Sequence, residues 1–200
     1  MDNIQDKLDA EIDCVPQGEH VPEAERNNRT IGERVRAGYH RLPYCTIPKV
    51  MLEALAMLSC KQLIFFPAKN GVSPYFSPHM IMNKRNIDYK KHCQFAFGEF
   101  LQAYQEKQIK NNNSPRTVDC IYLTPVLSDG GGHMVMNIAT GAAMYKSRVW
   151  TVPITETMIR AVESLAESQG YKSLKLQGKN KTRLLPSDWD EDEEYIFDDS

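Results

Sequence analysis

The sequence has few cysteines, and they form neither a metal-binding nor a disulfide pattern. Its 200 residues contain five, at positions 14, 45, 60, 93 and 120, and no two of them have C-x-x-C spacing. The odd count argues against a disulfide framework, and the spacing argues against a zinc knuckle. We therefore expect a reducing intracellular compartment, either the nucleus or the cytoplasm.

A long uncharged apolar run is also missing. The best candidate, residues 48–67, is interrupted by Lys49, Glu53 and Lys61, whereas a membrane span needs roughly 20 mostly apolar residues. The first residues are acidic and show no apolar run of the kind that a secretory signal peptide contains. The expectation is a chain without a membrane partner, in which residues 48–67 form a buried helix.

Basic residues are nearly absent from both ends of the chain. Residues 1–25 carry eight acids and one lysine, and residues 186–200 carry eight acids and no base. Between them, residues 26–120 carry fifteen Lys and Arg against six acids, and residues 121–185 carry eight against four. Such a basic body can bind a polyanion, because Lys and Arg displace the counterions of phosphates. A solvated basic surface shielded by the acidic ends explains the same pattern.

The first half of the chain is predicted to be helical after an acidic lead over residues 1–20, which is a short helix or disordered. Pro22 suits the first turn of a helix, and a stripe at three- and four-residue spacing continues to Tyr39 before Pro43 stops it. A second helix is predicted between Pro48 and Pro67, packed on the first. A loop follows, with a short helix after Pro78.

From residue 92 the pattern favours short strands separated by turns. Strands are predicted over 94–105, 118–127, 133–138 and 143–152, the last two as a hairpin around the turn signal ATGA. A helix capped by Thr155 is expected to run to about Gln169 and to end at Gly170. The predicted organisation is a lead (1–20), helices (21–90), a small β-barrel (91–154), a helix (155–170) and a basic, then acidic tail (171–200) that is disordered at its end.

Four degenerate motifs, in order, resemble the integrases of copia-type retrotransposons over about residues 20–154. AERNNRTIGERVRA is similar to the A-E-R-x-N-R-T-(apolar) start of the family's last catalytic helix, and IPKVMLEALAMLSCKQLIFFP to its next helix. SPHMIM with HCQFAFGEF resembles the segment leading to the first strand, and GGGHMVMNIATGAAMYKSRVWTVPI resembles the closing barrel. The resemblance implies an α+β chain: helices from the rear of an RNase H-like core, a small SH3-like β-barrel, a C-terminal helix and an acidic tail.

The resemblance places Glu25 at the last position of the family's D,D,E triad. Integrases of this kind are polynucleotidyl transferases that use Mg²⁺ or Mn²⁺. Two such ions, held by carboxylates, activate the attacking oxygen and stabilise the leaving oxygen of a phosphodiester. The residues expected to contact DNA are Arg26, Arg29, Arg36, Lys146 and Arg148.

Ordinary helix chemistry explains Glu25 equally well. The helix dipole favours a glutamate in the first turn by about 0.3–1 kcal/mol, and Glu25 has i,i+4 spacing to Arg29. Glu23 is a rival for the triad position. The family's two aspartates and its His/Cys zinc module lie upstream and have no match here. We therefore expect no nuclease, strand-transfer or integrase activity, and no bound metal cofactor, for this chain alone.

The remaining candidates are weaker. The five histidines show no metal-ligand spacing and are expected to be structural or solvated. The glycines of SDGGGH predict a hairpin loop rather than a phosphate-binding loop. Tyr145 and Trp150 can stack on bases, although residues of this type in strands more often fill a barrel core.

These observations favour a truncated piece of a copia-type Pol polyprotein. The function of the parent is DNA integration, and the function left in the piece is at most non-specific binding of the DNA backbone. Two alternatives stay open: a host-adopted module whose barrel or acidic tail binds a protein partner, and a non-functional relic of a transposable element.

Overall fold

The computed structural model describes residues 21–67, 69, 71–105, 115–128 and 130–170. They form five helices, α1 (Pro22–Tyr39), α2 (Lys49–Phe65), α3 (Pro78–Asn83), α4 (Tyr89–His92) and α5 (Glu156–Ser168). The five strands are β1 (Phe100–Tyr104), β2 (Thr117–Pro125), β3 (His133–Asn137), β4 (Ala143–Lys146) and β5 (Val149–Thr151). The α+β class is confirmed. The predictions for residues 1–20 and 171–200 lie outside the described residues.

The two long helices start at or next to a proline, as predicted, and pack on each other. Pro22 occupies the first turn of α1, and Pro48 directly precedes α2. Val35 and Leu55 are buried together at their contact. A Cβ atom at Gly38 would lie 2.8 Å from Leu55 Cδ1, so the glycine allows the close approach. None of the helices in the described ranges is long and apolar enough to cross a membrane.

The five strands form one antiparallel sheet in the order β4-β3-β2-β1-β5. The prediction of a single strand over 143–152 is wrong, because β4 pairs with β3 whereas β5 pairs with β1. Only Ser147 and Arg148 separate these two outer strands. In a flat sheet they would lie roughly 19 Å apart, but so short a connection spans at most about 11 Å. The sheet therefore curls until its outer strands meet.

Apolar side chains are buried on both faces of the sheet. On one face Phe100, Ile121 and Met136 pack against Met51 of α2 and Val162 of α5. The other face holds a second cluster, Leu101, Ala103, Cys120, Tyr122 and Val135. A central strand covered on both sides needs a continuous apolar sequence, which explains why β2 shows almost no alternation of polar and apolar residues.

Two details of the helix and strand boundaries differ from expectation. The strand predicted from residue 94 begins only at Phe100, because Gly98 adopts φ +79° and turns the chain. Thr155 precedes α5, but its hydroxyl makes no capping hydrogen bond; its backbone carbonyl instead accepts hydrogen bonds from Met158 and Ile159.

Helix α4 was not predicted. Its first turn is capped by the Asp88 side chain, which accepts a hydrogen bond from the Lys90 amide.

Gly98 joins the helical layer to the sheet. Its amide donates to Tyr122 O over 2.9 Å, and its carbonyl accepts a hydrogen bond of 2.9 Å from the buried Tyr44 hydroxyl. A Cβ atom at this position would overlap Leu42 Cδ2. Both the positive φ and the close contact therefore require glycine at residue 98.

We expect Gly98→Ala to lower the free energy of unfolding by about 2–4 kcal/mol, from left-handed strain plus the clash with Leu42. Urea denaturation followed by circular dichroism measures the change. The matched control is Gly170→Ala, where φ is +75° and no atom of the described residues lies within 4 Å of the added carbon. The control should lose only the strain, about 1–2 kcal/mol. Equal losses in the two variants would contradict the role given to Leu42.

Candidate nucleic-acid interface

The first half of α1 projects from the protein and is exposed. Glu25, Arg26 and Arg29 are all exposed there. Arg29 Nε donates to Glu33 Oε1 over 3.0 Å, with exposed fractions of 83% and 61% for the two side chains. Such a surface pair contributes little to stability, and a guanidinium with five N–H donors keeps several for another acceptor. The segment can therefore contact a phosphate without breaking the fold.

The described carboxylates around Glu25 do not form a two-ion centre. In the described ranges, no three His, Cys, Asp or Glu side chains stand close enough to hold a metal ion. The side chain of Glu23 and the aspartates of residues 1–20 lie outside the described residues. A two-ion centre needs several oxygen ligands that converge on the ions. The described residues around Glu25 do not supply such a set of ligands.

The basic residues of the last hairpin lie where β4 turns into β5. Arg148 is exposed, and its carbonyl accepts a hydrogen bond of 3.0 Å from the Tyr104 amide. Lys146 is half-buried, and its Nζ donates to Tyr104 O over 3.1 Å. Lys146 thus links the end of β4 to the end of β1, whereas the charged side chain of Arg148 is exposed to solvent. Arg36, in the second half of α1, is also half-buried.

Tyr145 and Trp150 lie on either side of this turn along the chain, with exposed fractions of 53% and 51%. Tyr145 pairs in register with Met134, and Trp150 with Gln102, which places both on the helix-facing side of the curled sheet but beyond the helices. The expectation that these two residues fill the core is therefore wrong. We call the exposed group Tyr145, Arg148 and Trp150 the aromatic corner.

The glycine-rich loop orients Tyr145. The tyrosine hydroxyl donates to Gly131 O over 2.9 Å, and a Cβ atom at Gly132 would overlap its ring. Gly132 has φ +134°, a conformation that only glycine adopts readily. The loop joins β2 to β3 and holds the Tyr145 ring in place, in agreement with the sequence prediction of a hairpin loop.

Two histidines that are distant in sequence meet at one end of the sheet. His133 is buried, with its ring 5.0 Å from that of Phe95 and 5.9 Å from that of Tyr122. Burial lowers the pKa of His133, and nearby His92 lowers it further. His133 is thus a buried member of the aromatic cluster, whereas His92 is half-buried near it. No local sequence pattern marks the pair, because their proximity arises from the fold.

Comparison of the chain with family models, with curated proteins and with solved structures gives no match.

The buried His133 makes stability depend on pH. Its folded pKa lies below the ordinary value of 6.5, so the unfolded chain binds more protons as the pH falls through that value. We expect the free energy of unfolding to decrease from pH 7 to pH 5. His133→Phe should flatten this slope, measured by urea denaturation at several pH values.

Exposed His40 supplies the control for this prediction. His40→Gln removes one imidazole without changing the aromatic cluster, and should keep the parental slope. A parental slope in His133→Phe would show that another group sets the pH dependence.

Proposed function

We propose that this chain is a nucleic-acid-binding segment related to copia-type integrases. It corresponds to the end of an RNase H-like core and the SH3-like β-barrel that follows, and its own activity is binding of DNA strands without sequence preference. The observation that carries the proposal is the aromatic corner, where two half-exposed rings lie two and three positions along the chain from an exposed arginine.

The corner has the chemistry of a stacking platform. Most large apolar side chains of the sheet are buried, so the exposure of Tyr145 and Trp150 costs free energy that a bound base would recover. A base stacked on an aromatic side chain contributes about 1–3 kcal/mol regardless of its identity. Arg148 lies between the two rings along the chain, where it can contact the connecting phosphate.

The overall charge favours the same ligand. The described residues carry sixteen Lys and Arg against ten Asp and Glu, a formal charge of +6. Arg26 and Arg29 extend this basic surface along the projecting half of α1. Each phosphate that such residues neutralise releases counterions, which makes binding depend on salt.

The architecture supports the proposed relationship as well. Strands β1 to β4 form an antiparallel meander, and β5 returns to pair with β1. This is the arrangement of a small closed barrel. The paired helices α1 and α2 precede it, in the order that the motifs imply. In this assignment Glu25 occupies the triad position at the exposed start of α1, and the chain binds DNA without cleaving it.

A second candidate function rests on a different surface. Val72 and Tyr75 are 97% and 85% exposed, and Val72 lines a cavity of about 220 Å³ together with Phe76, Ile81 and Met82. Exposed apolar patches of this kind mark protein contacts. This observation favours the protein-interaction module, and a pull-down that persists after nuclease treatment would support it.

Trp150→Ala should weaken binding of a labelled single-stranded oligonucleotide by about 5- to 150-fold, the loss of one stacked base. The salt slope should stay unchanged, because no charge is removed. Arg148→Ala should instead reduce that slope by about 0.7, one phosphate contact on a single strand. Fluorescence anisotropy over a salt series measures both quantities.

Two variants elsewhere serve as matched controls. Tyr75→Ala removes another exposed ring, and Arg116→Ala another exposed arginine; neither belongs to the aromatic corner. Unchanged affinity in Trp150→Ala, or an equal loss in Tyr75→Ala, would contradict the assignment of the corner as the binding platform.

A further inference from the structure

A cleft of about 620 Å³ opens between the second halves of α1 and α2 and the segment that follows α4. Its apolar lining includes Leu55, Leu58, Phe65 and Phe97, and the exposed Arg34 and Arg41 also border it. The volume lies in the range of ligand-binding clefts, which combine an apolar wall with a few charged groups.

The cleft is positively charged and lacks a compensating acid. None of the described residues that line it is Asp or Glu. His92 also belongs to the lining. The chemistry therefore fits an occupant that combines carboxylates with apolar or aromatic side chains.

We propose that the cleft binds the C-terminal segment of the same chain, residues 187–200, SDWDEDEEYIFDDS. This segment has eight acids, no base, and the aromatic residues Trp189, Tyr195 and Phe197. Its carboxylates pair with Arg34 and Arg41, and its aromatic side chains cover the apolar wall. The acidic residues 1–20 are a poorer match, because they contain no aromatic residue.

The end of α5 lies within reach of the cleft. Gln169 Oε1 accepts a hydrogen bond of 3.0 Å from the Lys49 amide, so α5 ends beside the start of α2. The cleft residues of α2 begin at Leu55, roughly 9 Å further along the helix axis. The connection of sixteen residues, 171–186, spans a root-mean-square distance of roughly 20–24 Å as a linker.

Because the tail is tethered to the same chain, even a weak contact with the cleft is populated. A short linker holds the tail at an effective concentration in the millimolar range, so a contact with a millimolar dissociation constant is formed in about half of the molecules. Raising the salt concentration weakens the contact, because the charges at the rim of the cleft are exposed and are screened over about 10 Å at 0.1 M. The bound tail neutralises two arginines of the basic body and so competes with any polyanion.

The test uses the full chain with Trp150→Phe, which leaves Trp189 as the single tryptophan. Acrylamide quenching and the emission maximum of Trp189 are compared at low salt with those of a synthetic 187–200 peptide. We expect Trp189 to be protected and its emission shifted to shorter wavelength. Arg34→Glu combined with Arg41→Glu should abolish the protection, with the quenching constant rising to that of the peptide.

Lys84→Glu with Arg116→Glu makes the same charge change at exposed positions that do not line the cleft, and should leave the protection intact. Replacing Asp188, Asp190 and Glu191 by Lys in the Arg34→Glu, Arg41→Glu chain should restore it, which excludes simple misfolding. A freely quenched Trp189 in the starting chain, or protection that survives the arginine reversals, would overturn the proposal. No nucleic acid is present, so neither result depends on DNA binding.

Discussion

The turn at Gly98 is the constraint on which the rest of the structure depends. It ties the helical layer to the central strand through the Tyr44 hydroxyl on one side and the Tyr122 carbonyl on the other. The same turn directs residues 92–97 across the open side of α1 and α2, and these residues form one wall of the cleft. One positive φ angle thus fixes the position of β1 and creates the cleft.

The curl of the sheet determines which of its side chains are exposed. Because only two residues connect the outer strands, β4 and β5 must meet at the end of β1, where Lys146 and Tyr104 hold them. The interior of the curl and the face under α2 and α5 take up nearly all apolar side chains. Tyr145 and Trp150 lie past the ends of both clusters, so their exposure is a consequence of topology rather than of composition.

Local signals predicted the parts of the fold that local chemistry determines. Pro22, Pro48 and Pro78 each fix a backbone angle at or next to the first turn of a helix, and each helix starts there. The break at Ser147 and Arg148 depends on which distant strands pair, which no short window contains. The exposure of Trp150 and the proximity of His92 to His133 depend on the same long-range register. Both Lys146 and Arg148 could therefore be predicted as candidate interface residues from the sequence. It could not be predicted that Arg148 is exposed whereas Lys146 is half-buried and bonded to the end of β1.

Charge connects the two proposed binding surfaces. The described residues carry +6, and residues 187–200 carry eight carboxylates without a base. A tail held in the cleft lowers the positive potential near Arg34 and Arg41, and the Debye length of about 8 Å at physiological salt confines this effect to neighbouring side chains. Binding coupling is reciprocal, so we expect a nucleic acid held by α1 to weaken the proposed tail contact by as much as the tail weakens nucleic-acid binding. The linker makes the tail a local competitor, whereas a long polyanion gains by counterion release at many phosphates. We therefore expect the outcome to depend on ligand length: short oligonucleotides should compete poorly with the tail, and long ones should displace it.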